Sequence, residues 1–321
     1  MRPPVAKSST LSASAPTTAI EIASRRVTAV ELGQSAGVAA VLAYASEPLP
    51  EGVVVPSLTG TNIAHPDAVI SALRAALSRA GLLSRRKVAL LVPDSVARVS
   101  LLNFEQMPAK AADLDQLIRW QLRKATPFPI DEAQVSSFTA NTDGKTTTLA
   151  AVVSRRDVIE QYETVTSAVG IHAGIVDLSS FNVINAVVAA GSAPAGDWLL
   201  VSMAPEATTL AIMRGHQLMF YRHRLTVDEE PLSVLVHQTA MYHEDRLGGS
   251  RFSRVWLCGG TLVGADAELA RRDISDRLGV PAEVVDIRPG AELRDRVHAT
   301  EDLLDMLAAP VGVLLRDRKA A

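Results

Sequence analysis

Three short segments carry residue types that could hold the phosphates of a nucleotide. They are residues 21–28, residues 202–209 and a glycine pair at 259–260, each beside a short apolar run. Glycine, which only the third segment contains, lets backbone N–H groups approach a phosphate closely, and a carboxylate, present in the first two segments, can hold the hydrated magnesium that accompanies it. The candidate nucleotide-binding residues are Glu21, Ser24, Arg25, Arg26, Thr28, Glu206, Thr208, Thr209, Gly259 and Gly260.

Each of these segments also has a plainer interpretation. Thr208 and Thr209 suit a β-strand in their own right. Arg25 and Arg26 either form a solvated turn or dock an anion, such as ATP bound without magnesium. The glycine pair suits the start of a helix as well as contact with a base or sugar. Pro205 removes one amide donor from the second segment.

Composition excludes several other kinds of site. The chain has 32 basic and 35 acidic residues, a net charge of −3, and no basic face that would suit nucleic acid. Cys258 is the only cysteine and lies in an apolar run, so we expect it in the core. The seven histidines show no metal-binding spacing, and no nucleophile motif is present. We therefore predict no metal site and no catalytic residue.

Apolar stretches are too short to cross a membrane. Residues 36–45 and 183–190 fall well below the ~20 residues that a spanning helix needs. Residues 1–16 are rich in Ser, Ala and Pro without the apolar centre of a signal peptide, which predicts a disordered tail. We expect no direct membrane insertion.

The first half of the chain predicts an α/β domain over residues 17–192. A strand meander over 19–44 precedes a helix over 66–80 and a buried strand over 88–92. A small α/β subdomain, inserted at about 93–148, would contain a helix that begins after an N-cap at Asp113 and ends at Thr126. The link at 191–196, rich in Gly, Ala and Pro, predicts the domain boundary.

The second half repeats this order of elements. A meander over 197–223 is followed by a helix, a strand over 255–258, a helix over 265–278 and a strand over 282–286. We predict a second domain over 197–302 and an apolar helix over 303–316 that packs back on the first domain. Two units that open with the same meander indicate a duplicated α/β architecture.

Five segments in order resemble the type IV pilus assembly protein PilM and its competence-protein relatives. They are residues 19–32, 117–132, 198–222, 255–285 and 307–316, and the most specific is the helix with Trp120 and its exit PFPIDE. The resemblance implies an actin-like (ribonuclease H-like, duplicated) ATPase fold of two domains with a subdomain inserted in the first. It also implies ATP as a cofactor and leaves self-association or filament formation open.

The same resemblance implies a function in pilus assembly. Relatives of this family act as a cytoplasmic scaffold, peripheral at the inner membrane, that grips the N-terminal tail of the membrane protein PilN. The tail would lie between the core of the first domain and the inserted subdomain. Trp120 and Phe128 would then either line or support that groove, and core packing is the alternative for both.

Departures from the family pattern fall at the phosphate-binding turns. The family's first loop has Asp, Gly and Lys where this chain has Glu21, Ala23 and Thr28. Its second loop has Asp and Gly where Ser202 and Ala204 stand, and the third of its three adenosine-binding glycines is Thr261 here. Without the two aspartates, magnesium and an attacking water have no evident ligand.

We therefore expect a pseudo-ATPase with weakened or lost nucleotide binding and no use of magnesium. One alternative is an active ATPase or small-molecule kinase, in which Glu21 or Glu206 would have to serve as the acid. Another is the cytoplasmic actin-like module of a type II secretion system, which the missing membrane segment disfavours.

Overall fold

A computed structural model describes residues 16–226, 231–262, 266–293 and 299–316. Residues 1–15, which are most of the predicted tail, lie outside these described residues. Within the described ranges, none of the helices has the length and apolar character required to cross a bilayer.

Fourteen strands and seven helices make up the elements of these ranges. The strands are β1 (Thr18–Ile22), β2 (Arg26–Ser35), β3 (Val38–Pro48), β4 (Lys87–Val92), β5 (Ala97–Phe104), β6 (Ala133–Thr142), β7 (Thr147–Arg155), β8 (His172–Leu178), β9 (Asp197–Ala204), β10 (Ala207–Arg214), β11 (Gln217–Leu225), β12 (Arg254–Cys258), β13 (Ala282–Val284) and β14 (Glu292–Leu293). The helices are α1 (Pro66–Arg79), α2 (Ala111–Leu122), α3 (Arg156–Ser167), α4 (Ser179–Ala189), α5 (Leu232–Leu247), α6 (Asp266–Leu278) and α7 (Glu301–Arg316).

The first lobe is built on a six-stranded sheet with the order β14-β3-β2-β1-β4-β8. Strands β1, β2 and β3 form an antiparallel meander, and β4 and β8 run parallel to β1. All five residues of β1 are buried, as expected for a central strand with both faces covered. Helices α1 and α3 pack together on this lobe, and α7 packs against β1, β2 and β4.

The second lobe repeats this arrangement on a five-stranded sheet. Its order is β11-β10-β9-β12-β13, again an antiparallel meander continued by two parallel strands. Helix α5 connects the meander to β12, and α6 connects β12 to β13. The duplicated architecture predicted from the order of elements is confirmed.

A separate antiparallel sheet, β5-β7-β6, is inserted between β4 and α3 and carries helix α2. Its own core contains Phe104, Ile118, Leu122 and Phe128. The predicted N-cap at Asp113 is wrong, because α2 begins at Ala111 and Lys110 occupies the cap position without a side-chain bond. Asp113 lies in the first turn, where a carboxylate is favoured by the helix dipole and mimics the pattern of a cap.

Helix α7 joins the end of the chain to the first lobe. Its residues from Leu303 to Leu315 are buried, and it packs along α4. Gly312 permits the close approach of the two helices, since a Cβ there would stand 1.8 Å from the carbonyl oxygen of Asn182. This contact brings the start of α7 to the cleft between the lobes.

Candidate functional site

The candidate site lies in the cleft between the two lobes, where the parallel strands of both sheets end. On the first lobe, Glu21, Asp94 and Ser179 stand at or just beyond the carboxyl ends of β1, β4 and β8. On the second lobe, the cleft is bounded by the ends of β9 and β12. Ligands of open α/β sheets bind at this edge because strand ends and helix starts converge there.

Seven of the ten predicted nucleotide-binding residues meet in this cleft. They are Glu21, Ser24, Arg25, Arg26, Glu206, Thr209 and Gly259. Thr208 and Gly260 are not among the residues that line it. Thr28 is fully buried in the first meander, with its hydroxyl 3.2 Å from that of Ser46. The cavity left in the cleft measures about 70 Å³.

A direct hydrogen bond joins the two polar turns. The Ser24 hydroxyl donates to a carboxylate oxygen of Glu206 at 2.6 Å, across the cleft from the first lobe to the second. The two turns are two of the three segments predicted to hold nucleotide phosphates. Here the side chains meet directly, so the space between the turns is closed.

The glycine turn after β12 is occupied by a carboxylate from α7. Asp305 accepts hydrogen bonds from the backbone N–H of Gly259 at 2.9 Å and of Thr261 at 3.0 Å, and from the Thr261 hydroxyl at 2.9 Å. Asp305 is only 6% exposed. The amides that would be available to a ligand at this turn are therefore satisfied by the chain itself.

The two neighbouring arginines have different environments. Arg25 is half-exposed and pairs with Glu51 at 3.0 Å on the outside of the turn. Arg26 is buried and donates to the carbonyl oxygen of Asp305 at 3.3 Å, while its Nε has no hydrogen-bond partner. Its charge acts on Glu21, which also accepts a bond from the Ser179 hydroxyl at 2.7 Å.

Burial raises the pKa of the Glu21 carboxyl above its ordinary value. The nearby Arg26 guanidinium and the Ser179 hydroxyl act in the opposite direction but do not cancel the effect of burial. An ionised Glu21 is thus costly in this position. A buried carboxyl that resists ionisation is a poor ligand for a metal ion.

Asp94 is the centre of a second set of contacts between the lobes. Its Oδ1 accepts bonds from the backbone N–H and the hydroxyl of Ser180, at 3.2 and 2.9 Å, within the first lobe. Its Oδ2 accepts a bond of 2.8 Å from the hydroxyl of Thr209 in the second lobe. Thr209 also contacts His223 Nδ1 at 2.9 Å, and Ser95 contacts His223 Nε2 at 3.0 Å.

Sequence reasoning missed the cleft residues Asp94, Ser95, Ser179, His223 and Asp305. Two of them had a usable signal, because Asp94 and Ser179 each follow a buried strand at the edge where ligands bind. Asp305 had none, since it lies on the last helix, 46 residues beyond Gly259. His223 appeared only as an isolated histidine on a strand.

Comparison with known proteins then gives the family. The model of the family described as type IV pilus assembly protein PilM matches residues 19–227, well over half of the chain. The chain belongs to the PilM family. The comparison with curated protein sequences found no match.

Solved structures show the same fold for this PilM family member. The PilM–PilN type IV pilus biogenesis complex contains a chain that matches with a TM-score of 0.78 at 17% identity, over 94% of this chain and 98% of that one. A Bacteroides thetaiotaomicron protein with an actin-like ATPase fold and unknown function matches with a TM-score of 0.53 at 10% identity, over 92% and 95%. The predicted actin-like ATPase fold is confirmed.

A nucleotide does not fit the cleft of this PilM family member as its side chains stand. Pockets for small ligands usually measure about 300–1,000 Å³, far above the 70 Å³ found here. The Ser24–Glu206 bond joins the two polar turns directly, and Asp305 accepts from the amides of the glycine turn. Across the described ranges, no group of three or more His, Cys, Asp or Glu residues is placed to hold a metal ion.

The two predicted partner-binding residues have contrasting positions. Trp120 on α2 is 71% exposed, the highest exposure among the large hydrophobic residues described. Phe128 is 9% exposed and packs in the core of the inserted subdomain. Core packing therefore accounts for Phe128, whereas nothing within the described residues buries Trp120.

Proposed function

We propose that this protein is a scaffold of a type IV pilus assembly platform, peripheral at the cytoplasmic side of the inner membrane. It binds the N-terminal tail of a PilN-like membrane protein, and its own nucleotide binding is weakened or lost. Membership of the PilM family and the likeness to the chain in the PilM–PilN complex support this role. The predicted limits, 17–192 with the subdomain at about 93–148, 197–302 and 303–316, belong to the same proposal, except that β14 pairs in the sheet of the first lobe and β7 extends the subdomain's sheet to Arg155.

The observation that carries the proposal is the Ser24–Glu206 hydrogen bond of 2.6 Å across the cleft. In an enzyme of this fold, nucleotide phosphates must enter between these two turns. Here the chain supplies both the donor and the acceptor, so closing the lobes requires no ligand. A protein that keeps the fold but fills the cleft with its own side chains suits a binding function better than catalysis.

A docking surface for the tail is proposed where the inserted subdomain meets the first lobe. The loop between β3 and α1 bridges the two, because Leu58 packs against the subdomain core and Arg155 donates to the carbonyl oxygen of Thr59. The indole of Trp120 supplies a large apolar contact, and aromatic anchors of this kind dominate binding energy at interfaces. Phe128 packs in the same buried cluster as Ile118 and Leu122 of α2.

The test is binding of a peptide that carries the N-terminal tail of the cognate PilN-like protein, measured by fluorescence anisotropy. We expect Trp120→Ala to weaken binding at least about tenfold, because loss of a central aromatic anchor costs about 2 kcal/mol or more. Leu269→Ala is the matched control, since Leu269 is 69% exposed on α6 of the other lobe. Equal affinity of Trp120→Ala and the wild type would refute the proposed surface.

A further inference from the structure

Six side chains form one continuous hydrogen-bonded chain across the cleft. Ser95, Asp94 and Ser180 come from the first lobe, and Thr209, Tyr221 and His223 come from the second. Three of the contacts in this chain join one lobe to the other: Ser95 to His223, Asp94 to Thr209, and Ser180 to Tyr221. We call this set of six residues the interlobe chain.

With a neutral imidazole, counting protons fixes the direction of every bond in the interlobe chain. Thr209 has one hydroxyl proton, which it donates to Asp94, so it can only accept from His223. The imidazole therefore carries its proton on Nδ1, and its bare Nε2 accepts from the Ser95 hydroxyl. By the same argument the Ser180 hydroxyl donates to Asp94 and accepts from Tyr221.

This arrangement is complete only with a neutral imidazole. A second proton on His223 would place an N–H where the ring now accepts, and the Ser95 hydroxyl would lose its acceptor. Ser95 is 6% exposed, and a buried hydroxyl without an acceptor is destabilising. The new charge would also lie in a largely buried position.

The charged groups that act on the ring are Asp94, from the turn after β4, and Glu206, from the turn between β9 and β10. Both favour the imidazolium, but burial outweighs them and lowers the pKa of His223 below its ordinary value. A histidine with a depressed pKa stabilises the closed form fully above its ordinary pKa. That stabilisation is lost as the pH falls through the depressed value.

We propose that His223 makes closure of the cleft sensitive to protonation: the two lobes are locked together while the imidazole is neutral and separate when it is protonated. Separation exposes the turns that hold Ser24, Glu206 and Gly259. The protein then has two states whose balance is set by pH rather than by a nucleotide.

Cys258 offers a direct readout of this opening. It is the only cysteine in the chain, it lines the cleft and it is 5% exposed. Burial also raises the pKa of its thiol well above the usual range, so the closed form reacts slowly. The experiment measures the rate of its reaction with an aromatic disulfide reagent that also works in mild acid. Each rate is divided by that of the urea-unfolded protein at the same pH.

We expect this normalised rate to rise severalfold in the full chain between about pH 8 and about pH 5.5, on either side of the ordinary histidine pKa of about 6.5. His223→Gln retains neutral hydrogen-bonding atoms and cannot titrate, so the normalised Cys258 rate of this variant should be the same at both pH values. Circular dichroism at both pH values identifies any rise that comes from unfolding. An equal rise in both proteins would assign the opening to another group and overturn the proposal, as would no rise in the wild type.

Ser95→Ala keeps the experiment decisive if His223→Gln does not fold. It removes the hydroxyl that donates to Nε2 and leaves the titrating ring in place. We expect its normalised Cys258 rate to exceed that of the wild type already at about pH 8, where histidine is neutral. A rate equal to that of the wild type at this pH would contradict a role of the Ser95–His223 contact in holding the lobes together.

Discussion

At the scale of single residues, the cleft contains acids that are satisfied by neutral donors of the chain. Asp305 binds two backbone amides and one hydroxyl, and Asp94 binds one amide and two hydroxyls. Most of the acceptor sites of both carboxylates are therefore taken up within the chain. The departures from the family pattern were visible in the sequence, whereas the replacement partners were not, because they are brought together over long distances in the chain.

Asp305 makes a prediction about stability. Asp305→Ala leaves the amides of Gly259 and Thr261 without an acceptor, and we expect the free energy of unfolding to fall by about 2–4 kcal/mol. Asp302 lies on the same helix but is exposed, and its contact with this turn is a long bond of 3.3 Å from the Thr261 hydroxyl. Asp302→Ala should change the free energy of unfolding by less than about 0.5 kcal/mol. Urea denaturation measures both values, and similar losses would contradict the special role given to Asp305.

Glu21 makes a prediction about pH. A buried carboxyl with a raised pKa favours the folded state while it is protonated. This contribution is lost as the pH rises through the raised value. Glu21→Gln keeps an acceptor for the Ser179 hydroxyl and cannot ionise. The gain in stability of Glu21→Gln over the wild type should therefore be larger at about pH 8 than at about pH 4, which lies near the ordinary pKa of carboxyls.

Urea denaturation of both proteins at the two pH values gives the required difference. Asp143→Asn is a useful control, because Asp143 is an exposed turn residue whose pKa is lowered by backbone hydrogen bonds from Thr146 and Lys145. Its substitution should not stabilise the protein as the pH rises. If the difference in free energy of unfolding between Glu21→Gln and the wild type is the same at both pH values, ionisation of Glu21 does not destabilise the fold.

At the scale of elements, most helices and strands expected from the sequence patterns, such as the helices over 66–80 and 265–278 and the strands over 88–92 and 255–258, lie within a few residues of their predicted positions. The exceptions have physical causes. Strand β14 has two residues and is held by pairing with β3, so it carries no pattern of its own. The predicted strand over 282–286 has only three residues in the sheet, because only these pair with β12. The predicted start of α2 after Asp113 is about one turn too late, because an acid in the first turn resembles an N-cap.

The contact between α4 and α7 is the element pair most open to test. Gly312→Ala would place a methyl group 1.8 Å from the carbonyl oxygen of Asn182, on rigid helix backbone. Alanine normally stabilises a helix relative to glycine, but here we expect a loss of about 1–3 kcal/mol from overpacking. The thermal unfolding midpoint should fall accordingly.

Gly174→Ala in β8 is the comparison for this variant. Its new methyl group would meet only the flexible side chain of Lys87, with the Cε atom at 2.5 Å. The lysine can move aside, so we expect little change in the unfolding midpoint. Equal losses in the two variants would show that the α4–α7 contact is not especially tight.

At the scale of the whole molecule, two lobes of the same topology are closed on each other by the chain's own hydrogen bonds. The sequence predicted the duplicated fold, the inserted subdomain and the altered turns. It did not predict the closure, because Ser24 and Glu206 are 182 residues apart and no sequence motif links them. This closure supports the inference, proposed above, that the fold serves as a scaffold with weakened or lost nucleotide binding.

The most direct test of this inference is calorimetric titration of the full-length protein with the PilN-like tail peptide, with and without ATP and magnesium. We expect the peptide to bind with the same affinity in all conditions and ATP alone to produce no heat of binding. Magnesium-dependent binding of ATP with release of phosphate, or a peptide affinity that depends on the nucleotide, would contradict it.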